Sequence, residues 1–214
     1  MKITGSAVLG GTLFLLLASF FGCAAADNDI EELEIASYVL PGKELTIGAK
    51  VYFPKAAEGK LPVYFYVTGI GGFVPEGFYA SFFRLLAHEN IIVVALSRLQ
   101  FPSYPRLIKQ VDTAMHWVEE NLSLTIAQKG FPNIVPDIDE QLILGCQSAG
   151  CRGILQYLNN TCGLVKGVVW DSPVDAFPLL TDPENKMPFK TPSLILAAGL
   201  DYKSLNFIFP SCVP

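Results

Sequence analysis

The stretch that decides the fold is QLILGCQSAGCRGILQYL, residues 141–158. Its first part is a short apolar run and its last part can form a helix, so the sequence predicts a strand, a sharp turn and a helix. Ser148 lies in the turn, with Cys146 two positions before it and Gly150 two positions after it. Small residues at these two positions allow the strand and the helix to approach each other, while the strained turn exposes the serine hydroxyl.

This order of elements is that of the nucleophile elbow of α/β-hydrolases, in which a serine attacks a carbonyl carbon. The strict pattern Gly-x-Ser-x-Gly is not met, because Cys146 stands at its first position and Gly145 lies one residue too early. Cysteine is still small. An ordinary strand-to-helix turn in a doubly wound protein would have the same local pattern, so other segments have to decide between the two interpretations.

The rest of the chain alternates apolar runs with segments of helical periodicity. Parallel strands covered on both faces are predicted at residues 61–67, 91–96, 141–144, 165–170 and 194–198. Residues 35–40 and 45–53 flank a Pro-Gly turn and predict an antiparallel hairpin at the sheet edge.

Two helical faces lie between these strands. One consists of Leu107, Val111, Ala114, Met115, Val118 and Leu122, and the other of Phe78, Phe82, Leu85 and Leu86. The sequence therefore predicts an α/β-hydrolase fold, with a mostly parallel central sheet and helices on both faces. The ligand site of such a sheet lies beyond the carboxyl ends of its strands.

A glycine-rich segment, Thr68 to Phe73, follows the first of the parallel strands. Backbone amides of Ile70 and Gly71, together with the amide of Ala149 after the serine, are the candidate donors of an oxyanion hole. A phosphate-binding turn is the alternative, but the segment lacks the full dinucleotide spacing. No cofactor is expected, and no metal, since the cysteines lack zinc spacing.

Two acids follow the run at 165–170, Asp171 and Asp175. Either one is delivered to the edge of the sheet where Ser148 lies, and the acid of a catalytic triad orients a histidine and stabilises its cation. Asp171 is the first choice because it stands directly at the strand end. One of the two is then an ordinary surface aspartate.

As a set, several segments of residues 45–214 resemble the chlorophyllase family of ester hydrolases. They are YVTGIGG at 66–72, the Phe78-Tyr79 pair, IIVVA at 91–95, the Ser148 elbow, SPVD at 172–175 and SLNFIFPSC at 204–212. The resemblance implies a serine carboxylesterase that acts through an acyl-enzyme on an apolar ester with a long alcohol or acyl group. It also implies an acid after the 165–170 strand, and a histidine near the carboxyl end.

The histidine of that pattern is missing. His88 and His116 both precede Ser148, whereas α/β-hydrolases place the histidine after the acid in the chain. Both are expected to be structural. The chain ends within the segment that resembles the loop before the family's histidine, so we expect a domain that is incomplete at its carboxyl end and inactive in this form. A non-catalytic secreted binding protein on the same fold is the alternative.

Composition and the amino-terminal segment limit the class of protein to which the chain can belong. The chain has 214 residues, of which 51% are hydrophobic and 16% charged, and this is enough for the hydrophobic core of one domain. Its net charge of −5, without a basic stripe, argues against nucleic-acid partners. Lys2, an apolar run and Ala24 to Ala26 predict a cleaved signal peptide at residues 1–26 ahead of a hydrolase domain at 27–214. An uncleaved anchor helix is the alternative.

Secretion and an oxidising compartment follow from the cleaved leader, with no stable membrane partner afterwards. The sequons at Asn121 and Asn159 fit a secreted glycoprotein. Disulfides are then permitted among Cys146, Cys151, Cys162 and Cys212, and the sequence leaves their pairing open.

Overall fold

The computed structural model describes residues 29–39, 46–69, 74–97, 104–161, 165–173 and 191–196. The signal peptide, Ile70, Gly71 and Asp175 lie outside these ranges. The described strands are β1 (Ile30–Val39), β2 (Thr46–Pro54), β3 (Gly59–Val67), β4 (Ile92–Ser97), β5 (Ile134–Asp137), β6 (Leu142–Gln147), β7 (Gly167–Asp171) and β8 (Ser193–Leu196). The described helices are α1 (Ala80–His88), α2 (Tyr104–Gln128), α3 (Ile138–Gln141) and α4 (Cys151–Thr161).

The strands form one mixed sheet in the order β1-β2-β4-β3-β6-β7-β8, with β5 paired to β3 off this path. β2 pairs antiparallel with β1 and β4, whereas the pairs β4–β3, β3–β6, β6–β7 and β7–β8 are parallel. The predicted edge hairpin and parallel centre are therefore confirmed. Because β3, β6 and β7 are parallel neighbours, their carboxyl ends meet at one edge of the sheet.

Residues of β3 alternate between two apolar layers, one on each face of the sheet. Val63, Phe65 and Val67 pack into the layer that contains α2 and α4, whereas Tyr64 and Tyr66 pack into the layer that contains α1. This alternation is the period of a strand that is covered on both sides. Helices therefore lie on both faces of the sheet, as predicted.

The predicted face of α2 is confirmed, because all six of its apolar residues are buried. The predicted face of the helix near Phe78 is confirmed at Leu86, which is buried, and at Phe82, which packs against the same layer, but it is wrong at Phe78. Phe78 lies in a 3₁₀ turn, Glu76–Tyr79, and its side chain is 81% exposed. The 3₁₀ turn shifts the helical register, so the buried face of α1 consists of Phe83, Leu86 and Ala87.

Among the helices that the structure describes, none has the length and apolar character needed to cross a bilayer.

Candidate active site

Ser148 stands at the turn between β6 and α4. β6 ends at Gln147, a 3₁₀ turn covers Ser148–Gly150, and α4 begins at Cys151. The backbone of Ser148 has a φ of 52°, in the left-handed region that residues with a Cβ seldom occupy. Such a conformation costs on the order of 1–3 kcal/mol and persists where the surrounding structure enforces it, most often at functional sites.

Gly150 has to be glycine because the backbone of β3 passes close to it. A Cβ at Gly150 would lie 2.5 Å from the carbonyl oxygen of Thr68, closer than non-bonded atoms approach. The elbow is therefore packed directly against Thr68, the residue that follows the end of β3. This contact places the start of the glycine-rich segment next to the serine.

A disulfide joins Cys146 to Cys151 and brackets the serine turn. Their Cα atoms lie 4.8 Å apart, and both side chains are buried. The sequence permits a disulfide at Cys146 but leaves its partner open, and the structure assigns Cys151 as that partner. Cys162 and Cys212 lie outside the described residues.

Of the three candidate oxyanion donors, the structure describes Ala149. It follows Ser148 in the 3₁₀ turn that leads into α4, where the first backbone amides lack acceptors within the helix. Ile70 and Gly71 fall outside the described ranges, which stop at Gly69 and resume at Val74. Gly69 itself lies at the same sheet edge as the elbow.

Asp171 is the last residue of β7 and pairs in register with Gln147, the neighbour of Ser148. Its carboxylate Oδ2 accepts a hydrogen bond from the Tyr66 hydroxyl at 3.4 Å. Burial raises the pKa of Tyr66 far above its ordinary value, and the nearby Tyr64 and Asp171 raise it further, so the hydroxyl stays protonated and can donate. Asp175, the other predicted acid, lies outside the described residues.

Gln147, Tyr66 and Tyr79 belong to this site but were not predicted as site residues. Tyr66 donates to Asp171, while Tyr79 donates a hydrogen bond to Oε1 of Gln147 at 3.1 Å. One signal was present in the sequence, because the hydroxyl of a buried tyrosine usually finds a partner. The apolar run at residues 61–67 contains two tyrosines, but its pattern does not indicate which residues their hydroxyls reach.

A further acidic residue follows β8 in the sequence. β8 runs parallel to β7 on its far side and ends at Leu196, and Asp201 follows five positions later in the sequence. Asp201 lies outside the described residues.

Each histidine of the sequence lies on a described helix. α1 starts directly after Tyr79, which contacts Gln147, and His88 is the last residue of α1, roughly 13 Å further along the helix at 1.5 Å per residue. His116 is exposed on α2, with Nδ1 3.5 Å from the carboxylate of Glu119 on the same helix.

Within the described part of the chain, no group of three or more His, Cys, Asp or Glu side chains is arranged to hold a metal ion.

No protein-family model matches the sequence, and no curated protein matches it. Solved structures are similar to it in fold. An esterase from the fungus Rhizomucor miehei has 23% identity and a TM-score of 0.52, with 69% of this chain and 45% of that chain covered. The Francisella virulence factor BioJ has 19% identity and a TM-score of 0.54, with 78% and 52% covered.

A bacterial heroin esterase has 18% identity and a TM-score of 0.53, with 76% of this chain and 50% of that chain covered. The chain thus spans about half the length of the structures it matches. Together with the mixed sheet and the helices on both faces, these likenesses show the α/β-hydrolase fold.

Proposed function

We propose that this chain bears the nucleophile of a serine carboxylic ester hydrolase and that Ser148 is that nucleophile. The observation that carries the proposal is the left-handed backbone of Ser148, held between β6 and α4 at the carboxyl edge of a parallel sheet. A strained serine in this position is the arrangement from which a hydroxyl attacks a carbonyl. The esterases of similar fold support the same activity.

The reaction proceeds in two steps. The Ser148 oxygen bonds to the ester carbonyl carbon while a base removes the hydroxyl proton, and collapse of the tetrahedral intermediate releases the alcohol with that proton. Water then attacks the acyl-enzyme and releases the carboxylic acid. The amide of Ala149 and a second amide from the glycine-rich segment, from Ile70 or Gly71, stabilise the oxyanion.

Asp171 is the acid that we assign to the histidine of this reaction. Its position at the end of β7, in register with Gln147, brings it to the serine's edge of the sheet. The hydrogen bond from Tyr66 occupies one lone pair of its carboxylate, and a carboxylate has about four such acceptor sites. The carboxylate can therefore accept from Tyr66 and from a histidine at the same time.

The base is the missing part. The chain has two histidines, and both precede Ser148; His88 is the last residue of α1, at the end opposite to Tyr79, and His116 is exposed on α2. We therefore propose that these 214 residues alone do not turn over esters. Without a base the serine hydroxyl is a weak nucleophile, and only the rate supplied by the oxyanion hole and by binding remains.

An apolar ester of the chlorophyllase type, with a long acyl or alcohol group, is the substrate that we propose. Phe78 supports this choice, because its ring is 81% exposed immediately before Tyr79, the residue that contacts the neighbour of Ser148. An exposed aromatic ring beside a reacting centre offers apolar surface to a hydrocarbon chain.

Secretion belongs to the same proposal. The disulfide between Cys146 and Cys151 is the bond expected in an oxidising compartment, which is where a cleaved leader would deliver the protein. Asn159 is exposed near the end of α4 and is therefore accessible to glycosylation.

A non-catalytic binding protein on this fold is the second candidate, and it is favoured because both histidines precede Ser148 in the chain, whereas α/β-hydrolases place the catalytic histidine after the acid. An activated fluorophosphonate distinguishes the two, with imidazole added as an external base. We expect labelling of Ser148, located by peptide mass spectrometry, to rise with imidazole concentration and to be absent in Ser148→Ala. No labelling of Ser148 at any imidazole concentration, or labelling that persists in Ser148→Ala, would favour the binding protein.

A further inference from the structure

Tyr79 is held in place by other aromatic rings at the end of α1 that faces the site. It closes the 3₁₀ turn before α1, and its ring centroid lies 5.4 Å from that of Tyr66 and 5.9 Å from that of Phe83. These distances are typical of aromatic pairs that interact favourably. The position of the hydroxyl is therefore fixed by the core.

The hydroxyl of Tyr79 joins two segments of the site. It donates to Oε1 of Gln147 at 3.1 Å and accepts a hydrogen bond from the backbone amide of Gly69. Burial raises the pKa of Tyr79 above its ordinary value, which keeps the hydroxyl protonated and able to donate. One phenol thus connects the residue before Ser148 to the first residue of the glycine-rich loop.

Gln147 fills the space in front of Gly69. A Cβ at Gly69 would collide with Oε1 of Gln147, so the amide side chain and the backbone at Gly69 fit only because residue 69 has no side chain. The carbonyl oxygen of Gly69 accepts from the amide of Val74 at 3.1 Å. Both backbone groups of Gly69 are therefore bound, and the two ends of the loop are tied together.

We infer that Tyr79 and Gln147 form a positioning pair, which holds Gly69 in register with the residue that precedes the nucleophile. The inference rests on the proposed function. Oxyanion donors act only when they lie within about 3 Å of the developing charge, and misplacement by about 1 Å can cost a hundredfold in rate. The bridge through Tyr79 fixes the separation between Gly69 and Gln147, the neighbour of Ser148.

Tyr64 provides a matched control in the same aromatic cluster. Its hydroxyl is buried and has no hydrogen-bond partner among the described residues, and its ring belongs to the same apolar layer as Tyr66, against which Tyr79 packs. Tyr64→Phe and Tyr79→Phe therefore remove the same atom from the same layer, and only the second removes the bridge.

The test measures two quantities in wild type, Tyr64→Phe, Tyr79→Phe, Gln147→Met, Gln147→Glu and the double variant Tyr79→Phe with Gln147→Met. The first is hydrogen exchange at the Gly69 amide, and the second is imidazole-supported phosphonylation of Ser148 at increasing reagent concentration. We expect Tyr79→Phe to speed exchange at Gly69 and to lower the maximal labelling rate about tenfold, with an unchanged half-saturating concentration. Tyr64→Phe should match wild type.

The Gln147 variants separate the bridge from simple packing. Gln147→Glu keeps an acceptor and should retain most of the rate, whereas Gln147→Met should resemble Tyr79→Phe. The double variant should be no worse than either single one, because both break the same bridge. If Tyr79→Phe and Tyr64→Phe behave alike in both measurements, the inference is overturned. If wild type is not labelled, the proposed function fails, and equal exchange at Gly69 in the two phenylalanine variants would then overturn the bridge as well.

Discussion

Ser148 combines the hydroxyl that we propose as the nucleophile with an unfavourable backbone conformation. The pairing of β6 with β3 and the packing of Gly150 against Thr68 hold its left-handed turn in place. A protein with such a strained residue is expected to become more stable when that residue is replaced by one that adopts the conformation without strain.

Ser148→Gly should therefore stabilise the fold relative to Ser148→Ala. Glycine occupies the left-handed region without steric penalty, and we expect a gain of about 1 kcal/mol in the free energy of unfolding, read from urea denaturation. Asn90 is the matched control, since it has a φ of 60° but belongs to a residue type that tolerates this conformation. Asn90→Gly should gain less. A Ser148→Gly protein that is less stable than Ser148→Ala would show that the turn is not strained.

Asp171 and Asp175 should differ in their effect on ester turnover in a form of the protein that carries the histidine. Asp171→Asn keeps the size of the side chain but removes the charge that orients a histidine, so we expect kcat to fall by about 10³–10⁴. Asp175→Asn should have little effect. Small, equal losses in both, measured with a short-chain chromogenic ester, would remove the assignment of a triad acid to this segment.

At the scale of elements, the site is the junction of a strand, a turn and a helix that a disulfide closes. Cys146, near the end of β6, stands where the strict elbow pattern has glycine. It is bonded to Cys151 at the start of α4. The cross-link restricts the unfolded chain over a short loop and joins the two elements that set the serine's position.

Replacing Cys146 and Cys151 together by alanine should lower the free energy of unfolding by about 2 kcal/mol, the value expected for so short a loop. Reductant should destabilise the wild type by a similar amount. The double variant serves as the control, because it should respond to reductant far less than the wild type does. If both proteins respond equally, the bond between these two cysteines does not stabilise the elbow.

The elements that could be predicted are those whose pattern is local. The strand-turn-helix at Ser148 and the buried face of α2 follow from residue size and spacing within one segment, and both match the structure. The prediction that Phe78 belongs to the buried face of α1 was wrong, because Phe78 lies in a 3₁₀ turn that ends at Tyr79, before α1 begins. The bridge from Tyr79 to Gln147 spans 68 positions, and no local pattern indicates which distant residue a hydroxyl will reach.

The described residues form an α/β-hydrolase fold. The sequence predicts a mostly parallel sheet with an edge hairpin, but it does not predict the order of the strands. Alternating apolar runs predict a mostly parallel sheet, and the antiparallel pairing of β2 with β4 places the amino-terminal hairpin at the edge. The short strand β5 was missed because its four residues, Ile134–Asp137, mix buried and exposed positions and include a proline.

Secretion can be tested on the whole protein. We expect material recovered from the medium of expressing eukaryotic cells to begin near Asp27 and to carry glycan at Asn159 or Asn121, because the small residues before Asp27 predict a cleavage site. Mass spectrometry of the amino-terminal peptide, with and without glycosidase, measures both properties. Membrane-bound protein with residues 1–26 intact would support the anchor instead.

The central claim is that Ser148 is a covalent nucleophile, and the most direct measurement is the mass of a trapped intermediate. The protein is incubated with an activated long-chain p-nitrophenyl ester and imidazole, and intact and peptide masses are recorded over time. We predict a gain of one acyl group on the peptide that contains Ser148, with an equal amount of nitrophenol released above the background that imidazole and Ser148→Ala give, and no such gain in Ser148→Ala. No adduct in the wild type, or an equal adduct in Ser148→Ala, would contradict the account.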